Sequence, residues 1–412
     1  MTRRRGRGAA GRAVLTVVTA WGLLAGAALT GAAPAGAAPA IRRIAPGVGY
    51  RQFDIAGAAG TAHAHLLTVD LGNPRVRVGL LHPGAVGARA TVSRLADAAG
   101  AIAGVNGDFF DITETQHPGV PATGAPVGPA VADGRVLKAA VPRGQRFGPA
   151  LPPGTDTRDV FGVGTDRRAR LDRLSLSGTV KTPKARLRLR GLNQYALPQN
   201  SVGAFTAAWG DVSRERAVCG TDTERAAPCS TDTYEVRLRG GRVVSAAGSP
   251  GSGAIPADTT VLVGREEGAR QLRELAVGDR VTVTHTLVAA GSGVPYAFAI
   301  GGFPVLRHGR PLTGLDDGTS AVRTVVGFKG GGEQLLILAL DGAAAYRTGL
   351  TVAEEAGTMR SLGASDAFNL DGGGSTEMVT RDAGAGAVTV RNHPSGGAER
   401  PVPNGVGVLP AG

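Results

Sequence analysis

Residues 91–108 read TVSRLADAAGAIAGVNGD, and residues 351–371 read TVAEEAGTMRSLGASDAFNLD. In the first stretch Thr91 is placed to cap a helix. Val92, Leu95, Ala96 and Ala99 recur at helical spacing, and Gly100 ends the run. In the second, Thr351-Val352-Ala353-Glu354 is a capping box with Leu350 placed to staple the helix end. Ala353, Ala356, Met359 and Leu362 form its apolar stripe, and Gly363 closes it. A short buried strand follows each glycine, Ala101 to Val105 and Ala367 to Leu370. Six residues after each glycine stands an asparagine, Asn106 or Asn369, and each strand runs on to an aspartate beside glycine, Asp108 or Asp371. The pattern predicts two helix–strand units about a pseudo-twofold axis, their Asn/Asp tips at one end. Two ordinary helix–strand units that look alike by chance are the alternative.

Working outward, period-two alternation marks strands at His65 to Asp70 and Val76 to Leu80, with Asn73-Pro74 turning between them. Asp133-Gly134-Arg135, Gly240-Gly241-Arg242 and His308-Gly309-Arg310 sit between apolar runs as hairpin turns. Arg186-Leu187-Arg188-Leu189-Arg190 alternates as a strand with one charged face. The expected fold is therefore α+β: a mixed β-sheet core with packed helices, two pseudo-repeated helix–strand units and a β-rich insertion. The expected boundaries are a signal peptide over 1–37, a first part of the main domain over 38–178, the insertion over 179–289, and a second part over 290–412.

The signal peptide reading rests on Arg3 to Arg12 as a basic region, Ala13 to Leu29 as an apolar one, and Ala35-Gly36-Ala37 as a cleavage site. No later stretch is long enough to span a bilayer, so a secreted, extracellular protein is expected. Five of the net +12 charges are the arginines of this leader, which leaves +7 on the remainder. Aromatic residues make up only 4% of the chain, too few to interleave with basic residues as nucleic-acid binding requires. Cys219 and Cys229, the only cysteines, are expected to pair in an oxidising compartment. The seven histidines show no ligand spacing, so neither a metal nor a cofactor is expected, and no Gly-x-Ser-x-Gly elbow announces a serine hydrolase.

The chemistry concentrates in Asn369-Leu370-Asp371-Gly372-Gly373-Gly374-Ser375-Thr376. Gly372, Gly373 and Gly374 carry no Cβ, so a ligand can reach their N–H groups, and such a nest suits phosphate. Ser375 and Thr376 add hydroxyls, and Asp371 is a fixed carboxylate beside them. A plain glycine turn capped by Asp371 is the competing reading. The loop lacks the Gly-Lys-Ser ending of a nucleotide P-loop. Asn106-Gly107-Asp108 precedes Phe109-Phe110, a turn or the wall of a sugar site. Gly301-Gly302-Phe303-Pro304, Arg323 at the head of an apolar strand, and Arg400 and Asn404 in an irregular tail are further polar or close-approach candidates.

Taken in order, Asn106 to Phe110, Gly301 to Pro304, Arg323 to Gly327, Asn369 to Ser375, Asn392 to Pro394 and Glu399 to Asn404 resemble the phosphodiester glycosidase family. That family includes the lysosomal uncovering enzyme, an N-acetylglucosamine-1-phosphodiester α-N-acetylglucosaminidase. The resemblance implies a secreted glycoside hydrolase that cleaves a sugar-1-phosphodiester in a cell-wall or extracellular glycan; a monomer is expected. Such a reaction needs a catalytic carboxylate at the anomeric carbon, Asp371 or Asp108, with Arg323 and Gly372 to Gly374 on the phosphate. Asn106, Gly107, Gly301, Gly302, Asp341, Asn369, Gly372, Gly373, Gly374, Ser375, Thr376, Arg400 and Asn404 would bind substrate. One departure stands at Asp341-Gly342-Ala343, where the family often has Asp-Gly-Arg; Arg347 is a candidate replacement. The alternatives are a polysaccharide hydrolase without phosphate selectivity and a catalytically silent glycan-binding protein.

Overall fold

The computed structural model describes residues 40–411, so the expected signal peptide lies outside the described residues. Those residues form twenty-four strands in three sheets and only three α-helices: α1 (Val92–Ala98), α2 (Glu267–Arg273) and α3 (Val352–Ser361). The protein is thus mostly β, and the expected α+β fold of packed helices and repeated units is corrected. The helix signals themselves mark real helices. Thr91 accepts from Arg94 N, and the Thr351–Glu354 capping box forms. The helices are short and flank the sheets.

The repeat fails because the two echoing strands occupy different environments. Ala103–Asn106 runs antiparallel to both Met378–Thr380 and Gly405–Pro410 in a five-stranded sheet. Asp366–Asn369 runs antiparallel to both Phe303–Arg307 and Thr324–Lys329 in an eight-stranded sheet. Both strands are almost wholly buried. A strand buried on both faces shows no alternation, so its sequence does not reveal which sheet it joins.

The eight-stranded sheet is the centre of the molecule. In its strands Gly60–Asp70 and Gln334–Leu340, alternate side chains enter two separate cores. Leu66, Leu336, Leu338 and Leu340 pack with Phe303 and Trp209, whereas Leu67, Val69, Leu335 and Ile337 pack with Phe298 and Met378. Burial on both faces explains why Leu335 to Leu340 is apolar without interruption. An eleven-stranded sheet contains the long strand Ala169–Lys181, which pairs with Asp159–Gly164 along its first half and with Arg186–Leu192 and Thr282–Ala289 further on. The hairpins at Asp133-Gly134 and His308-Gly309 form, each with both turn residues at positive φ as a primed two-residue turn requires. Cys219 and Cys229 form a disulfide. No described helix is long and apolar enough to cross a membrane.

Candidate active site

The two strand tips do meet, although no repeat places them. Asp371 N–H donates to Gly107 O at 2.8 Å, and Asn106 Nδ2 donates to Asp371 O at 2.7 Å. Asn106 Oδ1 accepts from Thr324 Oγ1 at 2.7 Å and from Glu377 N at 3.2 Å. Asn106 is fully buried and ties the five-stranded to the eight-stranded sheet. Gly107 is required by space: an added Cβ would overlap the Asn404 side chain and backbone and Ile300.

Asp371 stands half-buried where the strands converge. Its Oδ1 accepts from Gly372 N at 2.9 Å. Burial pushes its pKa up to about 6 and the charge of Asp108 adds to the rise, while hydrogen bonds from Ser375 and Gly372 and the charge of Arg400 restrain it. Arg400 is exposed and lies directly over Gly374; a Cβ there would meet Arg400 Cζ at 2.6 Å. Arg400 Nη1 donates to Ser375 Oγ at 3.3 Å. The preceding residue is anchored, since Glu399 Oε2 accepts from Ser93 Oγ at 2.6 Å. Beside it, burial and the Glu399 charge raise Glu377 to about 9, so Glu377 is a neutral acid at ordinary pH.

Most of the glycine loop's N–H groups are spent within the protein. Gly372 N donates to Asp371 Oδ1, Gly373 N to Val322 O at 2.7 Å, Ser375 N to Gly372 O at 3.1 Å and Thr376 N to Gly373 O at 3.2 Å. Among the described residues this leaves the Gly374 N–H without a recorded partner, on a residue that Arg400 overlies. For an anion placed here the loop offers one amide and one guanidinium rather than a full nest.

Asp108 lies deeper, 2% exposed. Its N–H donates to Asn404 Oδ1 at 2.9 Å, its Oδ2 accepts from Gly128 N at 2.6 Å, and its Oδ1 has no partner. Gly301 and Gly128 make room for this carboxylate, because a Cβ on either would crowd it. Gly302, at φ +151°, lets the chain pass close to Asn369 O. Burial raises the pKa of Asp108, opposed by Lys138, the Gly128 N–H and Arg146.

Two cations of this cluster, Lys138 and Arg146, carried no motif in the sequence. Lys138 is fully buried and donates to Val127 O at 3.2 Å, to Ala139 O at 2.6 Å and to Gly128 O. Burial favours the neutral amine. Three carbonyl acceptors favour the ammonium, which alone has three hydrogens to give, so Lys138 is read as a cation. Arg146 stacks on Phe109 (4.5 Å) and Phe303 (5.4 Å), leaves Nη2 without a partner, and feels the charges of both Asp108 and Asp371. The one available signal was rarity: Lys138 is one of four lysines in an arginine-rich chain and ends an apolar strand.

Arg323, expected on the phosphate, turns inward. Its Nε donates to Leu350 O at 2.6 Å and its Nη2 to Thr319 O at 2.8 Å, and it lies 3.8 Å from Glu355 of α3. Asn369 donates to Leu370 O at 2.9 Å, and its Oδ1 and Thr376 Oγ1 are buried without partners.

Asp341 gathers a second group. Its Oδ1 accepts from Ala343 N at 2.7 Å, and its Oδ2 lies 2.8 Å from His393 Nδ1 and 3.3 Å from His65 Nε2. Burial opposes ionisation, but these hydrogen bonds win and hold its pKa below the usual carboxylate value. The His393 side chain is 74% exposed, so a buried carboxylate orients a solvent-facing imidazole. This rim joins the glycine loop through Ser395 Oγ, 3.2 Å from Gly373 O. Arg347 Nε donates to Gly342 O at 3.0 Å.

For metals, His117, Cys219 and Cys229 come together among the described residues. The cysteines are joined as a disulfide and offer no thiolate, and both nitrogens of His117 are engaged, with Glu114 and with Ala227 O.

Residues 232–409 match the family model for phosphodiester glycosidase, which bears out the resemblance over that segment. That part of the chain is similar to a glycosidase domain. The matched segment holds Asp341, Asp371 and Arg400; Asn106, Asp108, Lys138 and Arg146 are brought to them from outside it. No curated protein matches the chain. A hypothetical protein from Synechocystis shares the fold with TM-score 0.67 and 19% identity, over 90% of this chain and 64% of its own. A putative exported protein from Burkholderia pseudomallei K96243 has TM-score 0.63 and 22% identity, over 85% of this chain and 74% of its own. The chain thus spans under two thirds of the Synechocystis protein's length.

Proposed function

We propose that this protein hydrolyses the bond between a sugar anomeric carbon and a phosphodiester oxygen, outside the cell, on a cell-wall or extracellular glycan. The observation that carries the reading is Asp371: a half-buried carboxylate at a strand tip, beside a glycine loop over which Arg400 lies. A phosphate monoester leaves readily, so the reaction needs little proton donation and much anion stabilisation. Arg400 and the Gly374 N–H receive the phosphate. Asp371 attacks the anomeric carbon or activates water, and Asp108, Lys138 and Arg146 set the field around it. The disulfide supports an oxidising location.

The test is product release from a sugar-1-phosphodiester by wild type and Asp371→Asn. A loss of at least about a hundred-fold is expected; near-normal turnover in the variant removes Asp371 from catalysis. The spent N–H groups of the glycine loop favour one rival, a glycan hydrolase without phosphate selectivity. Equal turnover of a simple aryl glycoside and the phosphodiester would establish that rival.

A further inference from the structure

A groove of about 320 Å³ runs between the strand Arg186–Leu192 and the segment Ala139–Arg143, walled also by Thr157 and Ser175. Period-two alternation aims Leu187 and Leu189 into the core and leaves Arg186, Arg188 and Arg190 outside. Arg188 and Arg190 line the groove, and Arg143 and Arg158 face them. Arg158 is neutralised by Asp156 through paired bonds of 2.9 and 3.0 Å. Asp222 is held by Gln199 N at 2.9 Å. Among the described residues, Arg186, Arg188 and Arg190 have no side-chain hydrogen bond and no acidic partner. Arg186 is moreover registered opposite Lys181 on the neighbouring strand. Like charges opposite each other across a sheet cost stability, and this pair continues the basic face beyond the groove's lining. Arg188 and Arg190, about 7 Å apart along the strand, suit successive negative charges along one extended polymer.

We infer that this arginine groove is a binding site for an anionic glycan polymer with phosphodiester-linked repeats, separate from the candidate active site. The choice of a glycan rests on the proposed function; the polyanion chemistry stands on the groove itself. A nucleic acid is disfavoured because no aromatic side chain lines the groove, so bases have nothing to stack on. The groove wall Ala139–Arg143 lies in sequence between Lys138 and Arg146, two cations of the candidate site.

The test uses the disulfide-bonded protein and a polymer of phosphodiester-linked sugar repeats, with dissociation constants measured across a salt series. Arg188→Gln/Arg190→Gln should weaken binding about ten-fold at low salt and reduce the slope of log K against log salt by about 1.5. Turnover of a small soluble sugar-1-phosphodiester should not change. Equal polymer binding by variant and wild type overturns the inference. So does an oligonucleotide of matched charge that binds as tightly as the glycan polymer. Loss of the proposed activity is read separately, since wild type that hydrolyses no sugar-1-phosphodiester would still bind the polymer.

Discussion

Asn106 Nδ2 donates to the backbone carbonyl of Asp371 at 2.7 Å, and the Asp371 N–H returns a bond to Gly107 O at 2.8 Å. This reciprocal pair joins strands from two sheets and sets where the Asp371 carboxylate stands. Asn106→Ala strands the Thr324 hydroxyl, the Glu377 N–H and the Asp371 carbonyl in a buried place. A loss of about 3 kcal/mol or more is expected in urea unfolding, since each unmet buried group costs about 1–3 kcal/mol. A shift within about 0.5 kcal/mol would show that the junction does not depend on this side chain.

The raised pKa of Asp371 has a kinetic and a thermodynamic consequence. Only the carboxylate can attack, so kcat/KM should rise with pH through about 6. Stability runs the other way. A carboxyl whose folded pKa lies above its unfolded value of 3.8 stabilises most when protonated, and that contribution fades as pH rises from about 4 to about 6. Asp371→Asn should recover on the order of 1–2 kcal/mol at pH 7, with the exposed edge of the group limiting the gain. Unfolding midpoints at the two ends of that window measure it.

His65 produces the opposite slope in nearly the same window. Burial lowers its pKa to about 4, against hydrogen bonding and charge from Asp341. The unfolded chain binds the proton more tightly, so this histidine's contribution is complete above about pH 6.5 and is lost as pH falls towards 4. His65→Gln should flatten the acid side of the stability profile by about 3 kcal/mol, after subtracting the loss at pH 7. An acid slope as steep as that of wild type would show that His65 is not the group responsible.

The disulfide loop grips the segment that carries Arg146. Gly144 N donates to Asp222 O at 2.9 Å, Gln145 Nε2 to Glu224 O at 3.1 Å, and Arg225 Nη1 to Arg146 O at 2.7 Å. Cys219→Ser/Cys229→Ser should cost about 2–3 kcal/mol of stability. It should also raise KM several-fold more than it lowers kcat, as Arg146 loosens from Phe109. Unchanged KM in a folded double variant would confine the disulfide to stability.

Gly374→Ala separates binding from folding. The new Cβ meets the far end of exposed Arg400 rather than backbone, and the side chain can swing away. Stability should move by no more than about 0.5 kcal/mol. Turnover of a sugar-1-phosphodiester should fall at least about ten-fold, because a charge-assisted contact to phosphate is worth about 1.5–3 kcal/mol. A stable variant of full activity would place the phosphate elsewhere.

Local chemistry is what the sequence by itself determined. The Thr91 cap, the Thr351–Glu354 capping box, the primed turns and the Arg186–Arg190 alternation depend on neighbours in the chain, and each forms where it was read. The ordered motifs singled out Asp371, Asp108 and Arg400 as candidates. The tertiary structure alone decided the rest. Buried strands such as Ala103–Asn106 and Asp366–Asn369 look alike because burial erases the alternation that would assign them to a sheet, so the helix–strand echo resolved into strands of two different sheets in a mostly β fold. Lys138 and Arg146 have ordinary neighbours in sequence and become charged partners of Asp108 only when the fold removes water around them. Arg323 was legible as a cation, but whether it faces a ligand or the carbonyls of Leu350 and Thr319 depends on residues 4 and 27 positions away. The same holds for Asp371: the motif named the carboxylate, and Asn106, from the other sheet, fixed its place.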